Sequence, residues 1–374
     1  MADRVVLHVG TPKTGTSMVQ DLLARNDATL RQRGVLVPGG AYDHQYRAGL
    51  DLLGEVADDG RGSWDRLAAQ IRRHNGTAVV SNEILTRASD EQIARAAASL
   101  PDAAIDVIVT VRDLGRQIPS GWQEAVKHRA RLPFATFVAE LRAEHPRRPA
   151  ARGFWEVQSW PEAAKRWAAI TSPERVHIVT VPPSSADPVV LRQRILKAMG
   201  IEPEWVPQAP HRDNTRLGAA EAKVLRGINR RVGRDTVGPS QYAEFVRDRL
   251  VRDLAERADE PIRIRLPPAA YDWVDAMSRR WIADVRDRGY SVVGDLHDLE
   301  PARYDDWVDP DAVAPAAELA AANAAIDALL AGQVAEREHN VDRFYEIARA
   351  YARRRAGRVR LVRGLLRARS KLSR

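Results

Sequence analysis

Gly10-Thr-Pro-Lys-Thr-Gly-Thr-Ser17 stands between the apolar run Val5–Val9 and a helical pattern from Ser17 to Arg33. Two glycines at that junction let the backbone curl where a Cβ would clash. Such a curl aims its N–H groups, and those of the first helical turn, at one point, with the helix dipole behind them. Thr16 and Ser17 add hydroxyl donors, and Lys13 adds a mobile point charge. The chemistry is that of a phosphate-binding loop; the plainer alternative is an ordinary Gly/Pro turn. The strand–helix alternation recurs. Ala78–Val80, Asp106–Val111 and Val176–Val181 are short β-branched runs, each followed by a helical pattern, at Ser89–Leu100, to about His128, and at Asp187–Gly200. Buried strands separated by helices predict an α/β fold: a central parallel sheet of the P-loop type with helices on both faces, a helical C-terminal part and an extended tail.

Composition narrows the function classes. With 44% hydrophobic and 29% charged residues, the chain of 374 residues has the makeup of a globular protein. It has no cysteine, which excludes thiolate metal sites, disulfide scaffolds and cysteine nucleophiles. No apolar run reaches the roughly 18 residues of a membrane span, and no signal-type apolar region precedes the first strand. The expected compartment is the cytoplasm. The net charge is +8, but ten Lys/Arg and no Asp/Glu lie between Arg353 and Arg374. Without them 48 basic residues face 50 acidic ones, a net charge of −2. The basicity belongs to the tail, which argues against a nucleic-acid partner for the body.

Two longer stretches, Pro38–Ser63 and Arg129–Trp160, interrupt the alternation and read as binding loops. Beyond Glu202 the pattern is helical, near Ala219–Arg231, Gln241–Arg257 and Pro268–Arg288. In the last, Trp273, Met277, Trp281 and Val285 recur every four residues, a core stripe. The segment Asp295–Asp311 holds seven Asp/Glu against one Arg. The expected division is a body of residues 1–308 and a helical, basic extension of 309–374.

A nucleoside-triphosphatase loop carries lysine directly after its second glycine. Here Thr16 occupies that place and the lysine sits inside the curl at Lys13. In this, the loop resembles the 5′-phosphosulfate loop of sulfotransferases that use 3′-phosphoadenosine 5′-phosphosulfate (PAPS). The resemblance spans roughly residues 1–308 and is nearer to bacterial carbohydrate-type members than to cytosolic small-molecule ones. It implies that Pro12, Lys13, Thr14, Gly15, Thr16 and Ser17 hold the 5′-phosphosulfate, with Lys13 catalytic. Arg112, at the end of the third run, and Ser120, eight residues on, would hold the 3′-phosphate. Leu114 stands where the family often has proline. Pro119 beside Ser120 is tolerable only near a helix start. The plainer alternative is an Arg112–Asp113 ion pair.

Ser81-Asn82-Glu83 closes the second run. Ligands of α/β sheets sit beyond the carboxyl ends of the strands. Glu83 there is the candidate base for the acceptor's proton, or else a strand-end cap. His8, inside the first strand, reads as a satisfied buried histidine rather than a catalytic one. Gln123 and Lys127 continue the helix face of Ser120, with Trp122 beside them. Arg212, Asn214 and Arg216 could supply late nucleotide contacts. No metal ligand cluster is expected; sulfotransferases need no catalytic metal.

The implied function is sulfuryl transfer from PAPS to a hydroxyl or amine of an acceptor, a carbohydrate or glycolipid. The rivals are a nucleotide-dependent kinase and a nucleotide-binding member without catalysis. The sulfotransferase reading requires that Lys13 face an anion site and not be buried against an unrelated carboxylate. Arg129–Trp160 mixes Arg129, Arg131, Arg142, Arg147, Arg148 and Arg152 with Phe134, Phe154, Trp155 and Trp160. It could grip an anionic saccharide, or be a solvated helix with aromatic anchors. In the tail, Leu361, Leu365, Ala368 and Leu372 share one helical face amid arginines. That pattern suits peripheral contact with an anionic membrane, a solubilising tail, or docking on the acidic segment. The membrane reading predicts that removing residues 340–374 abolishes co-sedimentation with anionic liposomes; equal binding of both forms excludes it.

Overall fold

The computed structural model describes residues 2–40, 42–209, 217–257 and 261–331. The strands are β1 (Ala2–Gly10), β2 (Val35–Leu36), β3 (Gly76–Ser81), β4 (Ala104–Val111), β5 (Val176–Thr180) and β6 (Ser291–Val293). They form one parallel sheet in the order β2-β3-β1-β4-β5-β6. Chain order reverses around β1, so the loop after it opens at a topological switch point. The short strands β2 and β6 add two edges that composition did not signal.

The helices are α1 (Thr16–Arg25), α2 (Asp27–Gln32), α3 (Tyr42–Leu52), α4 (Ser63–Arg73), α5 (Asp90–Ala98), α6 (Leu114–Lys127) and α7 (Phe134–Arg142). After them come α8 (Pro149–Gln158), α9 (Trp160–Trp167), α10 (Pro188–Met199), α11 (Ala219–Arg231), α12 (Pro239–Tyr242), α13 (Val251–Arg257) and α14 (Tyr271–Arg288). Strand alternation assigns them to faces. Val5, Leu7, Val9, Val107, Val109 and Ile178 turn to one side, under α4, α5, α9 and α14. Val6, Val79, Ile108 and Val179 turn to the other, under α1 and α10. The expected α/β class, with a parallel sheet covered on both faces, is what the molecule has. A separate apolar cluster joins α6, α7, α8, α11, α13 and α14 beside the sheet.

Local signals explain several boundaries. Ser89 and Gln92 form a capping box at the start of α5. Asp187 caps α10, and Gly200 ends it in the left-handed conformation. The helix expected from Ser17 to Arg33 breaks at Asn26. There the Asn26 amide donates to the Leu22 carbonyl and its oxygen accepts from Gln208 N–H.

Both presumed loops contain helices. Pro38–Ser63 holds α3, whose Gln45 bonds the Pro38 carbonyl and the Ser81 N–H. Arg129–Trp160 holds α7 and α8. Their Phe134, Phe137 and Phe154 are buried, with Trp122–Phe134 and Phe137–Phe154 centroids 5.1 and 5.8 Å apart. The aromatic side chains fill the core while most of the arginines lie outside, so the two do not make one gripping surface. The stripe on α14 lies at the edge of the core: Val285 is buried, while Trp273, Met277 and Trp281 are half-buried against it, Trp281 edge-on to Trp155 and Trp160.

Contacts cross the expected division at 308. The Asp311 carboxylate accepts from the Phe134 N–H at 2.7 Å and pairs with the buried Arg226. Residues 315–331 are helical, and their Ala321, Ala325 and Ala328 are buried against the body. The basic run from Arg353 and its apolar face lie outside the described residues, as do Arg212, Asn214 and Arg216.

His8 is fully buried in β1, with Nδ1 2.8 Å from the Ser81 hydroxyl and Nε2 3.2 Å from the Thr110 hydroxyl. A neutral imidazole has one donor and one acceptor, which suits a hydroxyl on each side. Burial lowers its pKa to about 4. Between about 4 and 6.5 the unfolded chain therefore binds the proton that the folded one refuses. The contribution to stability is full above 6.5 and lost as pH falls through that window, by about 3 kcal/mol in all. The ring resonances of His8 should not titrate before about pH 4; titration near 6.5 in NMR spectra would contradict this burial.

Candidate functional site

The loop after β1 begins at Gly10, which has φ +115°. A Cβ there would stand 2.9 Å from the Glu83 carbonyl oxygen and 3.1 Å from Glu83 Cα. Only glycine lets the turn lie against the end of β3. Gly15 has φ +95° and is the N-cap of α1, so the chain enters the helix through a left-handed residue. Lys13 also takes a left-handed conformation, φ 68°. For a residue with a Cβ this costs roughly 1–2 kcal/mol.

The loop is held from two sides. From the sheet, Thr11 N–H donates to the Thr110 carbonyl at 2.9 Å, and the Thr110 hydroxyl to the Gly10 carbonyl at 3.0 Å. The Thr14 hydroxyl lies 2.5 Å from both the Thr11 carbonyl oxygen and the Thr110 hydroxyl oxygen, and its single proton serves the two. From the helical side, the amides of Gln117 and Gln158 donate to the Pro12 carbonyl at 2.8 and 3.0 Å. Thr14 is thus a buried brace whose hydroxyl is engaged within the loop and the sheet.

The other expected residues come together. One cleft of about 860 Å³ is lined by Pro12, Lys13, Gly15, Thr16, Ser17, Glu83, Arg112, Ser120, Gln123, Glu124 and Lys127. A second of about 730 Å³ adjoins it across Arg112, Ser120 and Gln123, and adds Arg116, Ser184, Arg263, Arg265 and Tyr304. Both clefts lie at the carboxyl ends of the strands.

Asp113 caps α6 by accepting from Arg116 N–H, and its ion-pair partner is the Arg116 side chain. The Arg112 guanidinium donates to the Arg116 carbonyl at 3.1 Å. Pro119 does not stand at the helix start. It lies in the second turn of α6, where its missing N–H frees the carbonyl of Gly115. A Cβ at Gly115 would stand 2.9 Å from Cβ of the Pro301 ring and 3.2 Å from the Asp113 carboxylate. Glu83 accepts a hydrogen bond from Gln20 at 2.6 Å. Asn82, not Glu83, caps the short turn of helix that follows β3.

Glu124 is a residue the sequence reading passed over. Its Oε2 meets Lys13 Nζ at 2.9 Å and its Oε1 meets His128 Nε2 at 3.2 Å. Burial pushes the Glu124 carboxyl up, but the His128 hydrogen bond and the Lys13 and Lys127 charges outweigh it. The carboxyl is held well below the usual carboxylate range. The loop lysine therefore does meet a carboxylate, but it is not buried there: Lys13 is 32% and Glu124 37% exposed, and both face the cleft. The available signal was spacing, since Ser120, Gln123, Glu124 and Lys127 form one polar stripe on α6. Gln123 donates to the Leu217 carbonyl at 2.8 Å, fixing the chain that resumes after residues 210–216.

Among the described residues no group of three or more His, Asp or Glu is placed to hold a metal ion, and no helix is long and apolar enough to cross a membrane. No family model and no curated protein matches the chain. Among solved structures, a sulfotransferase from Alicyclobacillus acidocaldarius matches with 17% identity, over 61% of this chain and 93% of that one, at a TM-score of 0.36.

Replacing Gly10 by alanine should destabilise the protein by more than about 1 kcal/mol, because the left-handed backbone and the Glu83 carbonyl both oppose a Cβ. Thermal denaturation of Gly10→Ala beside wild type measures this.

Proposed function

We propose that the chain is a PAPS-dependent sulfotransferase acting on a hydroxyl or amine of a carbohydrate or glycolipid. The supporting observation is the convergence of Lys13, Gly15, Thr16 and Ser17 with Arg112 and Ser120 in one cleft. The first group offers a cation, hydroxyls and helix N-terminal N–H groups to one anion. The second stands on the wall shared with the neighbouring cleft, where Arg263 lies beside Arg116 and Arg265, themselves paired with Asp113 and Asp306. A donor with anions at both ends of its ribose matches this spread, and guanidinium groups suit its phosphate.

In the reaction the acceptor oxygen attacks sulfur in line, the bond from sulfur to the 5′-phosphate oxygen breaks, and adenosine 3′,5′-bisphosphate leaves. Charge spreads over the transferred oxygens, so the protein chiefly positions and neutralises, as in phosphoryl transfer. Lys13 and the N–H groups of Thr14 to Thr16 stabilise the leaving oxygen. Glu83 takes the acceptor's proton, its carboxylate steadied by Gln20. Thr16 in place of lysine removes the clamp on the outer phosphates that a kinase needs.

Calorimetric titration of the full chain with adenosine 3′,5′-bisphosphate beside ATP tests the reading. The bisphosphate should bind, and Lys13→Ala should bind it more weakly. With a competent acceptor, Lys13→Ala should lose at least ~100-fold in turnover. Glu83→Gln should lower turnover while leaving bisphosphate affinity unchanged. Tight ATP binding without a response to the bisphosphate would overturn the assignment in favour of a kinase.

A further inference from the structure

Lys13 faces two claims at once. It is the mobile cation of a loop built for an anion, and it is already joined to Glu124 Oε2 at 2.9 Å. The partner is not incidental to the helix surface. Glu124 shares the cleft-lining stripe of α6 with Ser120, Gln123 and Lys127. Its other oxygen is engaged by His128, so the carboxylate is oriented with one oxygen toward the loop. It is ionised throughout the neutral range, since its carboxyl lies well below ordinary values.

A fixed carboxylate in contact with the loop cation acts as a competing anion. Any ligand that takes Lys13 must release Glu124 or share the ammonium with it. A small inorganic anion has only the loop to gain. A nucleotide that also reaches Arg112 and Ser120 has the second set of contacts to offset the lost pair. We propose that Glu124 is an internal counter-ion of Lys13 that keeps free phosphate and sulfate out of the loop and yields to a ligand anchored at Arg112 as well. The inference rests on the sulfotransferase reading for the identity of that ligand, but not for the competition itself. Removing the competitor frees the loop for every anion, so the affinity of both kinds of ligand rises together.

The test titrates inorganic phosphate and, separately, adenosine 3′,5′-bisphosphate into wild type, Glu124→Gln, Lys13→Ala and the double variant. The amide keeps the shape and removes the charge. Because each group is about a third exposed, solvent screens the pair, and Glu124→Gln should bind both ligands roughly twofold to fivefold more tightly. Phosphate at millimolar concentration should then compete with the bisphosphate in Glu124→Gln and not in wild type. The gain should vanish in the Lys13→Ala background, because the carboxylate acts through that ammonium. Unchanged or weaker phosphate binding in Glu124→Gln overturns the proposal, as does a gain that persists without Lys13. If wild type binds no bisphosphate while Glu124→Gln gains affinity for phosphate, the counter-ion stands and the sulfotransferase reading falls.

Discussion

The site depends on Thr110, the penultimate residue of β4. Its carbonyl receives the Thr11 N–H and hydroxyl, its own hydroxyl reaches the Gly10 carbonyl, and Thr14 and His8 close on the same oxygen. Buried polar groups of this kind are costly unless satisfied, and here each is paired. The result ties the loop to the central strand pair. Register then follows from the parallel ladder, which pairs His8 with Ser81 on one side and Ile108 on the other. A loop with two positive-φ glycines and a positive-φ lysine would otherwise be free to adopt many shapes.

Two consequences reach the chemistry. The glycine at the loop's start brings the end of β3 close, so Glu83 enters the cleft beside the cation of Lys13. The cap of α6 by Asp113 turns the chain immediately after Arg112, so the arginine and Ser120 share one wall. These placements come from backbone sterics and capping.

Much of this architecture was legible in the chain. The four apolar runs are strands because β-branched residues crowd them, and the alternation of Val5, Val6 and Leu7 between faces follows from the pleat. The loop was legible because glycines and hydroxyls sat between such a run and a helix. β2 and β6 were not, since two and three residues carry no period. α3, α7 and α8 were hidden under Gly, Pro and Arg, residues that suggest loops; their burial depends on partners far along the sequence. Glu124 was missed because a carboxylate on a helix face is usually solvated, and only the fold brings it across to Lys13.

The grip of Gln117 and Gln158 on the Pro12 carbonyl has a further effect. Both amides belong to the helical cluster beside the sheet, while Gly10 and Thr11 are fastened to the sheet itself. The loop is thus a seam between two packing units. Loosening of the helical unit would unlatch one end of the curl while the strands stayed intact, so ligand affinity would fade at a lower temperature than the β-sheet signal.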